Sequence, residues 1–281
     1  MQRLRWKQSF AACCVLCEAC LFAFLMSSAQ ESDSDPGSFG EDLLGASAHR
    51  LSMTDMTPQA LYEAIHAVPR SESDEKLTPI EVTGASGQHG ALMRLNHPVR
   101  LHLKGPLGDY AFAFNAQADV RVTGAVGHGV GDGMISGAVR VRGDAGVGAG
   151  AAMTGGTLAI YGTAGDRCGA GMRGGGIFVR SSVGDKAGVG ALGGMIVIGG
   201  DAGENLGDAM SNVTVFIRGK AKSLADGVVE APLRKREQLR LGLLLINASI
   251  RGDAKDFRRI VPDAVLRAEK SQRGEINPNW R

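Results

Sequence analysis

Aromatic residues are scarce: phenylalanine, tyrosine and tryptophan together make up 5% of the 281 residues. A chain so poor in rings is badly equipped to stack sugars along a groove. Neither sign of charge dominates. With 31 basic residues against 29 acidic, the chain offers no basic field for a phosphate backbone, and nucleic acid is not an expected partner. Proline is sparse at 9 residues, and no G-X-Y period accompanies the glycine, which excludes collagen. An apolar content of 44% is too high for a disordered glycine-rich linker. Four of the 5 cysteines (Cys13, Cys14, Cys17 and Cys20) crowd into the first 20 residues. Their C-x-x-C-x-x-C run lacks the second ligand cluster that a structural metal site needs. Cys168 stands alone in the rest of the chain, so no disulfide framework is available.

The N-terminal residues differ in composition from the rest. Arg3, Arg5 and Lys7 precede an apolar run from Phe10 to Met26, interrupted by Glu18, and small residues follow at Ser27-Ser28-Ala29. Two readings fit residues 1–29: a secretory leader, or an over-long reading frame whose start is Met53 or Met56. Residues 30–53, rich at first in serine, aspartate and glycine, read as linker. No later stretch is long and apolar enough to span a membrane.

Glycine is plentiful. The 41 glycines are about twice the usual share of roughly 7%, and 31 of them fall between Gly105 and Gly219. That region repeats. Leu101-His-Leu-Lys-Gly105, Val120-Arg-Val-Thr-Gly124, Val139-Arg-Val-Arg-Gly143 and Leu158-Ala-Ile-Tyr-Gly162 are followed by copies starting at Ile177, Ile196 and Val215, each 19 residues on. A period near 20 that opens with a short alternating strand means a β-solenoid. Position one is always aliphatic, as is position three (Leu103, Val122, Val141, Ile160, Val179, Ile198, Ile217), so both columns face the core. Seven coils at about 4.8 Å each predict a rod of about 34 Å.

Glycines recur at two corners: Gly105, Gly124, Gly143, Gly162 and Gly200 at the first, then Gly108, Gly127, Gly146, Gly165 and Gly203. They are expected to turn the chain through positive φ and to tolerate a close neighbouring backbone. Gly131, Gly150, Gly169, Gly188 and Gly207 mark a further corner, and Met134, Met153, Met172 and Met210 fill the opposite wall. Ile80-Glu-Val-Thr-Gly84 resembles a degenerate copy 21 residues upstream of Leu101. Residues 54–98, with a helix over 54–67, therefore read as an N-terminal cap, 99–231 as the β-helix, and 232–281 as C-terminal cap and tail. A helix opened by Pro232 is expected through Leu233, Leu239, Leu241 and Leu244.

Candidate chemistry is thin. Gly127-His-Gly129-Val-Gly131 mimics a dinucleotide fingerprint, but no long helix follows and the string recurs with the repeat. Cys168 occupies an otherwise apolar column (Ala111, Val130, Ala149, Ala187, Leu206), which suits a buried small side chain better than a nucleophile. Asp109, His128, Asp166, Asp185 and Glu204 form a column after the second glycine corner, read as a solvated corner. No histidine pair has ligand spacing on a helix. No catalytic, cofactor-binding or metal-binding residue is therefore expected. On the outer face of the strands, His102, Arg121 and Arg140 give one basic half, while Phe178, Val197 and Phe216 form an apolar stripe on the other. The stripe is expected to dock another subunit, covering by the chain's own tail being the other way to bury it.

The corner strings, with Gly165-Asp-Arg-Cys-Gly169-Ala-Gly-Met172-Arg-Gly174 and Gly200-Asp-Ala-Gly203-Glu-Asn-Leu-Gly207-Asp, resemble the GXGXG domain family. That domain closes the large subunit of glutamate synthase and also forms one of the subunits of formylmethanofuran dehydrogenase. The likeness is greatest to the free-standing glutamate synthase subunit-3-like members, which serve as one component of methylamine–glutamate N-methyltransferase (N-methylglutamate synthase), and it spans roughly residues 54–260. The resemblance implies a right-handed parallel β-helix in a cytoplasmic complex. It also implies a non-catalytic role beside a glutamine-amidotransferase-like subunit and an FMN-binding synthase-like subunit, with no cofactor held by this chain. A secreted β-helix acting on polysaccharide is the competing class, disfavoured by the shortage of aromatics.

Overall fold

A computed structural model describes residues 49–70, 77–247 and 252–275. The leader, its cysteines and most of the linker lie outside the described residues.

The chain forms a right-handed parallel β-helix, with one short strand of each coil contributing to a single 11-stranded sheet. The strands are β1 (His49–Ser52), β2 (Thr78–Thr83), β3 (Val99–Leu103), β4 (Asp119–Val122), β5 (Ala138–Val141), β6 (Thr157–Ile160), β7 (Gly176–Val179), β8 (Gly194–Ile198), β9 (Val213–Ile217), β10 (Val228–Ala231) and β11 (Arg258–Pro262). From β1 to β9 every neighbouring pair is parallel and in register, so that Leu101, Val120, Val139, Leu158, Ile177, Ile196 and Val215 stand in one column. All seven are buried, as are the seven residues of position three. A second, one-residue ladder joins Leu107, Val126, Ala145, Ala164, Val183, Ala202 and Ala221 across the coil. The 19-residue spacing is what lets each side chain meet its own kind above and below.

Two domain boundaries move. Residues 49–52, inside the expected linker, are strand β1, with Leu51 and Met53 packed against the core. Residues 78–98 do not merely cap the stack. Ile80 pairs with Leu101 and Val82 with Leu103, and Leu92 and Arg94 repeat the backbone of the next coil. The helix α1 (Pro58–Ala67) is the N-terminal plug. Thr57 caps it by accepting from Ala60 N, Pro58 opens it, and Leu61 and Ile65 bury themselves in the same core cluster as Ile80.

The glycine corners keep one of their two expected causes, the close neighbouring backbone, and lose most of the other, the positive φ. Of Gly105, Gly108, Gly124, Gly127, Gly143, Gly146, Gly162, Gly165, Gly200 and Gly203, only Gly105 has positive φ. The others are glycine because coil lies directly on coil. A Cβ at Gly146 would stand 2.8 Å from the carbonyl carbon of Gly127, and one at Gly165 would stand 2.9 Å from that of Gly146. Positive φ falls elsewhere, on every second residue of the far corner: 129, 131 and 133, then 148, 150 and 152, then 167, 169 and 171. There the amide of Gly129 donates forward to Val147 O, that of Gly131 back to Ala111 O, and that of Gly133 forward to Ala151 O. Alternation aims successive N–H groups at opposite neighbours, and glycine accepts that backbone without a Cβ clash. In the first 19-residue coil Tyr110, Phe112 and Phe114 adopt it instead, the rings of Tyr110 and Phe114 lying over Gly129 and Gly133.

The C-terminal end reverses direction. β11 enters between β9 and β10, antiparallel to both, which closes the parallel series. The helix α2 (Lys235–Asn247) starts three residues after Pro232, so Leu233 precedes it, and α3 (Asp263–Glu275) follows β11. The tail after Pro262 is thus largely helix. No helix of the described residues is long and apolar enough to cross a membrane.

Candidate functional site

The carboxylate column faces the gap between coils, and its members hold backbone. Asp109 Oδ1 accepts from His128 N at 2.7 Å, and His128 Nδ1 accepts from Val147 N at 2.9 Å. Asp166 Oδ1 accepts from Asp185 N and Asp185 Oδ1 from Glu204 N. Across a shallow groove of about 540 Å³ a second row does the same. Asp144 Oδ1 accepts from Thr163 N and Oγ1, Ser182 Oγ from Asp201 N, and Asp201 Oδ1 from Lys220 N at 2.7 Å. These bonds satisfy amides at corners where the strand ladder has ended. The same bonds hold two carboxyls below the ordinary aspartate value, Asp109 through His128 N and Asp144 through Thr163 N. The corner is solvent-facing, as the sequence suggests, and it also carries a pair of side-chain ladders. Among the described residues no group of three or more histidine, cysteine or acidic side chains could hold a metal.

Cys168 is fully buried, and burial pushes its thiol up to about 12, away from the thiolate a nucleophile needs. In the fingerprint-like string, Gly127 N donates to Leu107 O and Gly108 O, and Gly129 N and Gly131 N to their neighbouring coils. Those amides are spent on the stack, so they make no phosphate cradle.

The apolar stripe is where expectation and structure part. Phe178, Val197 and Phe216 are 3, 0 and 4% exposed, so they are not a free docking face. The row continues across the sheet from Phe216 to Arg259 of β11, and α2 lies over it. Glu237, Arg240, Leu241 and Leu244 of that helix share a cavity of about 530 Å³ with Phe178, Phe216 and the glycines beside them. The tail therefore covers the stripe. A buried charge network fastens it. Arg259, 2% exposed, donates to both oxygens of Glu269, through Nη1 at 3.0 Å and Nη2 at 2.5 Å, and its Nε lies 3.1 Å from Glu237 Oε1. Arg234 joins through Glu237 at 2.6 Å and Glu269 at 3.3 Å. Burial raises the Glu237 carboxyl, but the Arg234 hydrogen bonds and the nearby Arg259 charge outweigh it and hold it below the ordinary value. No sequence motif announces this network, whose members lie outside the repeat.

The basic half of the face stays more open. Arg140 and Arg100 both reach Asp119, and Glu81 links Arg50 with Lys104. Burial lowers the Arg121 guanidinium, Asp119 opposing and the charges of Arg140 and Arg100 adding to the effect. His102 is likewise lowered by burial and by Lys104.

Together the fold and these ladders define a parallel β-helix whose polar columns bind its own coils. Compared with family models and with curated proteins, the sequence gives no match.

Proposed function

We propose that this chain is a structural, non-catalytic β-helix subunit of a glutamate-synthase-like complex. Within that class the reading is N-methylglutamate synthase, which makes N-methyl-L-glutamate from methylamine and L-glutamate. The observation that carries a structural role is the use made of the side chains able to do chemistry. Cys168 packs the core, and Asp109, Asp144, Asp166, Asp185 and Asp201 hold the next coil's amides. The likeness of the glycine strings to the GXGXG family supplies the kind of partner. One is a glutamine-amidotransferase-like subunit and the other an FMN-binding synthase-like subunit in the cytoplasm, the flavin belonging to the latter.

Purification of the native complex, with an assay for N-methylglutamate from methylamine and glutamate, tests the reading. Co-purification of both partners with activity is the expected result. A pterin-metal oxidoreductase subunit in their place would reassign the chain to a formylmethanofuran dehydrogenase-type complex, and a chain recovered without partner or activity would sink both.

A further inference from the structure

The helix α2 has two apolar faces, and the fold uses one. Leu241 and Leu245 are 1 and 2% exposed, turned into the body of the protein. Leu239, Leu243 and Ile246 are 72, 49 and 74% exposed, spaced four and three residues apart on a single stripe. Gly242 lies within that stripe, and among the described residues nothing stands within 4 Å of where its Cβ would be. Its backbone has no positive φ, so neither conformation nor crowding among the described residues calls for glycine at a place where glycine weakens a helix. Beside the stripe, the helix and the turn at 252–255 enclose an open groove of about 700 Å³.

We propose that this face pairs with the same face of a second copy of the chain. The two α2 helices would cross antiparallel about a two-fold axis passing between Gly242 and Leu243. The stripe reads alike in both directions about that point. Leu239 and Ile246 are equidistant from it, and Gly242 and Leu243 flank it. A two-fold antiparallel pair therefore seats each Leu243 on the other copy's Gly242, twice over, and sets Leu239 against Ile246 at both ends. An isologous contact demands this self-complementarity, and the glycine supplies the hole for the knob. The charges at the two ends also match. Exposed Lys235 and Arg236, in the first turn of α2, would lie beside the last turn of the other copy's helix, which carries no basic residue. Each basic first turn then meets the negative end of the opposing helix dipole. The pairing stands apart from the proposed function and holds whichever complex the chain enters.

Sedimentation velocity of the full chain across a concentration series tests it, with far-UV circular dichroism as the check on folding. The wild type is expected to dimerise. Leu243→Asp with Ile246→Asp should weaken the dimer by at least about 100-fold, and Gly242→Leu, which fills the hole, by about 10-fold. Gly242→Ala separates pairing from helix propensity, because it should raise thermal stability while still weakening the dimer. In a mixture of isotopically light and heavy chains, a long amine-reactive cross-linker should join Lys235 of one copy to Lys235 of the other. A wild type that stays monomeric at about 100 μM would overturn the proposal. So would a folded Leu243→Asp, Ile246→Asp variant that dimerises as well as wild type. A dimer whose cross-links avoid α2 would overturn it as well.

Discussion

The outer face of the sheet is built twice from one repeat, and its two halves come to rest in different surroundings. From β2 to β5 the second strand position carries Glu81, His102, Arg121 and Arg140; from β6 to β9 it carries Ala159, Phe178, Val197 and Phe216. Inward positions are the same on both sides, so backbone and core do not distinguish the halves. One outward column does. Where it is charged, neighbours pair laterally and the face meets solvent in part. Where it is apolar, the chain returns through α2 and β11 to cover it. The stack tells each coil where to lie, and the outward column tells the tail where to go.

That contrast can be broken first by charging the covered half. Phe178→Asp with Phe216→Asp should cost more than about 4 kcal/mol, read as an early urea midpoint or as proteolysis within 232–275. Native-like stability would mean that the stripe is not held under the tail. Next, Arg259→Met leaves Glu237 and Glu269 gathered around an apolar side chain, with Arg234 still beside them, and should cost about 3 kcal/mol. A loss under about 1 kcal/mol would show the network to be dispensable.

Acid gives a finer comparison. Glu81 on the charged half and Glu237 on the covered half both titrate below the ordinary 4.5. For Glu81 the Lys104 hydrogen bond leads, against desolvation; for Glu237 burial is outweighed by its arginines. A depressed folded value contributes stability that is whole above the unfolded value and lost as pH falls through the folded one. Glu237→Gln should therefore flatten the fall in Tm between pH 6 and pH 2 more than Glu81→Gln, since its partners are more deeply buried. Equal slopes would erase the distinction. The smallest effect is expected at exposed Arg173, away from both halves of the face, where alanine should change unfolding free energy by no more than about 0.5 kcal/mol.

The period, the core columns and the fold were legible because each coil repeats the same local solution, and seven repetitions expose columns that one coil would hide. Glycine was harder to read. The same residue meets a neighbouring backbone at Gly146 and adopts left-handed φ at Gly131, and spacing alone does not tell contact from conformation. Tyr110, Phe112 and Phe114 take that left-handed path without any glycine to signal it. Strand β1 is only four residues long, too short for alternation to rise above the linker around it. The fate of the Phe178 stripe depended on β11 and α2, which lie outside the repeat and find their places through tertiary contact. Asp166 and Asp185 showed their column in the sequence, but the direction of their bonds needed coordinates.

The unbroken 19-residue register also makes the molecule a ruler. Each coil advances the stack by about 4.8 Å, and every inward column is indifferent to how many coils precede it. Duplicating or deleting one whole repeat of the charged half would move the C-terminal closure by a single fixed step and leave the apolar coils under the same tail. A change of one or two residues would put side chains out of register with the coils on either side. The distance between the two closures can therefore change only in whole coils, as a count rather than a continuous length.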